Sequence, residues 1–168
     1  ASITFSKCGF FNQQLEVAET PNSDHYAAFT SECLADPKVH ALTTKKQRLK
    51  IQSIFNEHKK QLPDETEKNL VHADFDPANI LVVNTMGEIG ISGIIDWEFS
   101  VSGSTLCDVA NMLRYAHHIT DDYQDAFLKG LQSTHYQLPK CWLTATHLLN
   151  ITSLLDCLRR ADPSHNVQ

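Results

Sequence analysis

No apolar run in this sequence approaches the roughly 18 residues of a membrane span, and its first residues lack the basic-then-apolar order of a secretory signal. Those two absences speak against a membrane protein and an exported one. Cysteine is scarce: the five residues Cys8, Cys33, Cys107, Cys141 and Cys157 are odd in number and far apart. That pattern offers neither a disulfide framework nor a CxxC metal site, and reduced thiols in a cytoplasm fit it. A broad basic face is missing too. The formal net charge is -6, and the one dense basic run, Lys45-Lys46-Gln47-Arg48-Leu49-Lys50, leads into Ile51, Ile54, Phe55, His58 and Leu62. That spacing marks one face of a helix, so the lysines decorate its wet side and a nucleic-acid partner is not expected. Fixed-period repeats and low-complexity tracts are also absent.

What is present is a chain of 168 residues, 42% hydrophobic and 20% charged, which suits one globular domain over residues 1–168 with a core that needs no staples. From Ala1 to about Asp24 the pattern is irregular, with Gly9-Phe10-Phe11 and Pro21-Asn22 as loop signals, and reads as packed loop. Helix-spaced apolar residues predict helices from about His25 to Leu34 and from Lys45 to Leu62, the second stopped at Leu62-Pro63-Asp64. A β-rich stretch follows: Leu70 to His72, Ile80 to Val83, a turn at Asn84-Thr85-Met86-Gly87, and Ile89 to Ile95. The last third reads as helical. Asp108 opens one helix, Tyr123, Phe127 and Leu131 mark another, and Leu138-Pro139 leads into a long one ending near Arg160. On that last helix Leu148, Ile151, Leu154, Leu155 and Leu158 form a stripe for burial, and the tail from Asp162 to Asn166 reads as a frayed end.

The informative stretch is His72-Ala73-Asp74-Phe75-Asp76-Pro77-Ala78-Asn79-Ile80-Leu81, followed by Asp96-Trp97-Glu98. Asp74 and Asn79 lie in a loop between two apolar strands, and Asp96 emerges directly after Ile94-Ile95, so all three can converge where strands end. Carboxylates and an amide oxygen are hard ligands suited to magnesium. Phosphoryl transfer needs such a set, with a metal to neutralise phosphate charge and a carboxylate to orient the attacking hydroxyl and accept its proton. Taken singly, Asp74 has the plainer reading of a turn carboxylate and Asn79 that of a loop cap. The spaced set with Asp96 and Glu98 outweighs those readings. His117-His118 with Asp121 and Asp122 resembles a metal cluster only superficially, because adjacent helical residues point about 100° apart. Gly87, Gly90 and Gly93 sit in hairpin strands with no following helix, so a phosphate cradle there is not expected.

The pattern His-x-Asp-x-x-x-x-Asn followed by Asp-x-Glu is similar to the catalytic loop and metal motif of aminoglycoside phosphotransferases and choline kinases. Protein kinases share the layout with their own versions of both motifs. The resemblance runs on through Phe99-Ser100 and Gly103 to Asp108-Val109-Ala110-Asn111-Met112-Leu113-Arg114, and back to Gly9-Phe10-Phe11. It implies an α+β, mainly helical fold, the C-terminal lobe of a protein-kinase-like structure of the aminoglycoside phosphotransferase type. It implies an ATP-dependent kinase, with GTP as a possible donor, acting on the hydroxyl of a small molecule. Asp74 would be the catalytic carboxylate, Asn79 and Asp96 would hold Mg2+ bridging the nucleotide phosphates, and Glu98 would add a metal or water contact. His72 would brace the loop and Asp108 would anchor it. Ala73 stands where the family usually has glycine, and since alanine needs ordinary backbone angles the change reads as mild. Asp76 stands where His or Asn is common and adds negative charge; with Asp121 and Asp122 it would suit a cationic acceptor.

Kinases of this layout also have a strand-rich small lobe with a lysine that reaches the phosphates. No GxGxxG-like turn precedes His72, and the lysines before it lie in loops or helices. Ala1 therefore reads as a cut within a larger layout, with the N-terminal nucleotide-binding lobe missing. On that reading the chain folds alone, is inactive alone, and exposes an apolar surface that favours self-association. The alternative function class is a non-catalytic binding module, or half-kinase, that retains the fold and the motifs.

Overall fold

The computed structural model describes residues 3–20, 24–64 and 66–161. The loop signal at Pro21-Asn22 and the tail from Asp162 to Asn166 lie outside the described residues. Helix makes up 52% of the structure and strand 17%, so the fold is mixed and mainly helical as the pattern indicates. The helices are α1 (His25–Ala35), α2 (Pro37–Leu42), α3 (Lys45–His58), α4 (Leu106–Leu113), α5 (Tyr123–Ser133) and α6 (Trp142–Arg160). The strands are β1 (Gly9–Phe11), β2 (Val17–Glu19), β3 (Asn69–Val71), β4 (Ile80–Thr85), β5 (Glu88–Ile94) and β6 (Val101–Gly103).

Helix α6 is the spine. One of its faces gives Leu155 to a core with Cys33, Leu34 and Val39, against which Phe29, Ile51, Ile151 and Leu158 pack. Another gives Ala145 and Leu149 to a core with Leu106 and Ala110 of α4. The buried line therefore includes Leu148 and Leu155, whereas Leu154 of the expected stripe is 40% exposed. A helix carries a stripe rather than a full circumference to one neighbour, and Leu154 falls on its margin. Thr30 of α1 and Thr152 of α6, both buried, satisfy each other with a 3.0 Å hydroxyl contact. Helix α3 begins on a capping box in which the Thr44 hydroxyl accepts from the Gln47 N–H and the Gln47 amide oxygen accepts from the Thr44 N–H. Lys45, Lys46 and Lys50 of its first turns are exposed, as the amphipathic pattern requires.

Strands β2, β1, β6 and β3 form an antiparallel sheet in that order, with Phe10 opposite Val101 and Leu70 opposite Ser102. This corrects the reading of the first 24 residues as loop. Strands of three residues are too short to show alternation, and β1 finds its partner β6 about ninety positions away. Gly9 belongs to the strand: at φ +139° it lets the backbone of β2 approach so closely that a Cβ would lie 1.7 Å from the Glu19 carbonyl oxygen. Strands β4 and β5 form a separate hairpin closed by Met86 and Gly87, both at positive φ, so Asn84 and Thr85 of the expected turn belong to β4 instead. Ile89, Ile91, Val82 and Val83 stand out from this hairpin into solvent.

Candidate active site

The loop after β3 starts from buried residues at the end of that strand. Val71 is fully buried and His72 is 2% exposed. The ring of His72 accepts at Nδ1 from the Asp74 N–H (3.3 Å), which leaves Nε2 to donate to the Ile95 carbonyl (2.8 Å). Its plane also packs on Trp97, with centroids 4.5 Å apart. One histidine thus joins the Asp74 loop to the segment that carries Asp96. Further along, the Asp76 carboxylate accepts from the Ala78 N–H (2.9 Å) and caps a single 3-10 turn, Pro77–Asn79. That turn presents Asn79, whose Nδ2 donates to the Asp74 carbonyl (2.9 Å) and whose own carbonyl accepts from the Ile95 N–H (3.0 Å).

Helix α4 holds the same loop from beneath. Asp108 accepts from two consecutive backbone donors, the His72 N–H at Oδ2 (3.0 Å) and the Ala73 N–H at Oδ1 (2.9 Å). Burial raises its carboxyl above the ordinary aspartate range, and those two N–H groups pull it part of the way back. Asp108 lies in the first turn of α4, which opens at Leu106, two residues earlier than the sequence reading has it. One turn on, Asn111 donates from Nδ2 to the Ala73 carbonyl (2.7 Å). The Arg114 guanidinium donates to Asn111 Oδ1, to Asn150 Oδ1 (3.0 Å) and to Ser153 Oγ (3.1 Å), tying α4 to α6. Ala73 itself stands at φ +64°, so the expectation of ordinary angles at this alanine is wrong: the loop needs the left-handed conformation that glycine adopts freely.

His72, Asp74, Asn79 and Asp108 are therefore one hydrogen-bonded unit, and Asp96 joins it through its neighbour Ile95. Asp96 also stands in the left-handed region, at φ 68° and ψ 54°, where the short turn Trp97–Phe99 begins. Glu98 sits exposed on that turn and is bonded to none of the other five. Among the described residues no protein donor engages the carboxylate of Asp74 or Asp96. His117 and His118 lie exposed on a 3-10 turn with their rings 3.9 Å apart, and no cluster of three or more His, Cys, Asp or Glu able to hold a metal occurs among the described residues.

A model of the phosphotransferase enzyme family matches residues 14–141, three quarters of the chain, with the loop, Asp96 and α4 all inside the match. The chain belongs to this family. No curated protein matches it. Membership supports a kinase-like transferase in general, and no helix among the described residues is long and apolar enough to cross a membrane.

The family implies magnesium and a nucleotide, and the residues here fit the ion. The Asn79 amide spends its nitrogen on the Asp74 carbonyl, so Oδ1 faces the other way, and the Asp96 carboxylate follows the residue bonded to the Asn79 backbone. Magnesium keeps several waters and takes only one or two carboxylates beside phosphate oxygens, so two protein oxygens suffice. The sequence reading gave Asn111 and Arg114 no role, although a signal existed. Asp108, Asn111 and Arg114 recur every three residues on an otherwise apolar helix, the spacing of a single polar face. A cavity of about 620 Å³ lies behind the loop, lined by Ala73, Asn111, Tyr26, Phe29 and Phe99, but not by Asp74, Asn79 or Asp96.

Proposed function

We propose that this chain is the catalytic lobe of an ATP-dependent kinase that phosphorylates a hydroxyl of a small molecule. The single observation carrying this reading is the network that fixes Asp74, Asn79 and the Ile95-Asp96 step to one another through His72 and Asn79. Asp74 orients the acceptor hydroxyl and takes its proton as the acceptor oxygen bonds to the γ-phosphorus and the bond to the β-phosphate oxygen breaks, releasing ADP. Asn79 Oδ1 and the Asp96 carboxylate would hold magnesium, which when bound would neutralise charge on the phosphates. His72 and Asp108 position the loop without touching the reacting atoms. Leu81 and Ile95, 46% and 44% exposed beside Asn79 and Asp96, offer an apolar floor for a nucleotide base.

The phosphates need a further clamp. Among the described residues no lysine lies on a strand, which supports a strand-rich lobe outside this chain as the source of the second wall and the phosphate-contacting lysine. On this reading the chain alone does not turn over, since misplacement by about 1 Å costs on the order of a hundredfold. The odd number and wide spacing of the five cysteines support a reducing cytoplasm as its place. The test is magnesium-dependent ATP binding to the chain and to Asp96→Ala. Weak binding that needs magnesium and falls in the variant is expected; binding indifferent to both rejects the metal assignment.

A further inference from the structure

We infer that Asn111, aligned by Arg114, is a positioning residue that sets the direction of Asp74 by holding the Ala73 carbonyl. The inference rests on the assignment of Asp74 as the catalytic carboxylate. Its basis is how the loop's peptide planes are held. The N–H groups of His72 and Ala73 belong to the two planes that precede Ala73, and Asp108 fixes both of these. The Ala73 carbonyl belongs to the next plane, which also carries the Asp74 N–H. Asp108 does not touch that plane. Its tethers are the 2.7 Å bond from Asn111 and the longer 3.3 Å bond from the Asp74 N–H to His72.

Such a tether matters here because Ala73 is at φ +64°, a conformation disfavoured for any residue with a Cβ. Left to its own preference the alanine would rotate to negative φ and swing the following peptide, and Asp74 with it. Asn111 is 7% exposed, so its amide is held against the loop by protein contacts and has little access to solvent. Arg114 decides which end of the amide faces the loop. A guanidinium only donates, so Asn111 must turn Oδ1 to Arg114 and Nδ2 to Ala73. Arg114 is held in turn by Asn150 and Ser153 of α6, and Asn150 Nδ2 donates back to the Ala110 carbonyl (2.9 Å). The angle at Ala73 is thereby referred to the longest helix of the fold.

The decisive variant is Asn111→Asp, which keeps the shape and the contact with Arg114 but has no donor for the Ala73 carbonyl. Amide hydrogen exchange on the chain reads the loop directly, and kcat and KM for MgATP in the intact enzyme read its consequence. Exchange at residues 72–76 should quicken about tenfold, as expected for one lost hydrogen bond, while α6 amides keep their protection. The same factor should fall on kcat, with KM for ATP changed less than about threefold. Arg114→Met, which frees the amide to flip, should move the loop in the same direction by a smaller factor, and it serves if Asn111→Asp does not fold. Wild-type exchange at residues 72–76 in the folded variants overturns the inference, as does a uniform rise that includes α6, which would mark Asn111 as merely structural. An intact wild-type enzyme without any phosphoryl transfer would sink the kinase reading instead, and the exchange comparison would still decide the clamp.

Discussion

Replacing Asp108 by alanine probes the anchor of the loop. The carboxylate accepts two backbone N–H groups at 3.0 and 2.9 Å, and one of them belongs to His72, which is 2% exposed. Each buried donor left without a partner costs about 1–3 kcal/mol, so the two set a ceiling of about 6 kcal/mol. Against this works the relief of removing a carboxyl whose burial is itself unfavourable, as the upward displacement of its pKa records. We expect a net loss of about 3 kcal/mol at neutral pH, or roughly 6–12 °C in Tm for a chain of this size. Asp108→Asn keeps one acceptor without charge and should lose less. The pH dependence has a definite sign. The folded-state pKa lies above the unfolded value, so the folded chain holds its proton more tightly. The contribution of Asp108 is therefore fullest below about pH 4, the unfolded value, and shrinks as pH rises through the folded pKa. Urea denaturation followed by the fluorescence of Trp97 and Trp142 between pH 4 and 8 measures both effects. A loss under about 1 kcal/mol throughout, or a gap between wild type and Asp108→Ala that widens with pH, would refute the reasoning.

Leu148→Ala, at a site 1% exposed in the middle of α6, should cost about 3 kcal/mol in the same assay through the cavity it opens. Thiol labelling of the native chain at pH 8 should reach the exposed Cys157 first. Cys107, pushed up to about 12 by desolvation and in contact with the Tyr26 hydroxyl at 3.2 Å, should react only after unfolding, because its thiolate is scarce. The hairpin exposes Val82 at 64%, Ile89 at 77% and Ile91 at 69%, so the chain should self-associate in sedimentation runs and Val82→Lys with Ile91→Lys should shift it toward monomer.

The candidate site was legible where its parts are close in sequence. The strand, loop and hairpin from Leu70 to Asp96 carry their own turn chemistry and apolar runs, and the structure keeps that order. Contacts set by distant partners were not legible. Strands β1 and β6 exist because residues far apart in the chain pair across one sheet, with β2 added beside β1, and nothing local in three residues reports that. The angle at Ala73 is imposed by Asp108 and Asn111 against alanine's own preference, so its sequence neighbourhood points the wrong way. Leu154 matched the period of a buried stripe, but which side of α6 is covered depends on where α1 and α4 dock. Glu98 shares the motif yet stands apart from the bonded unit, since the short turn after Asp96 turns it to solvent.

The central claim is a division of labour, with Asp74 serving the transfer step and Asp96 the metal-bound nucleotide. Its most direct test is γ-phosphoryl transfer from ATP to a hydroxyl acceptor by the intact enzyme, measured with MgATP affinity for wild type, Asp74→Ala and Asp96→Ala. The account predicts that Asp74→Ala loses transfer by at least about a hundredfold and holds MgATP as wild type does. It predicts that Asp96→Ala loses transfer and also binds MgATP about tenfold or more weakly. Full transfer by Asp74→Ala, or undiminished MgATP affinity in Asp96→Ala, would contradict it.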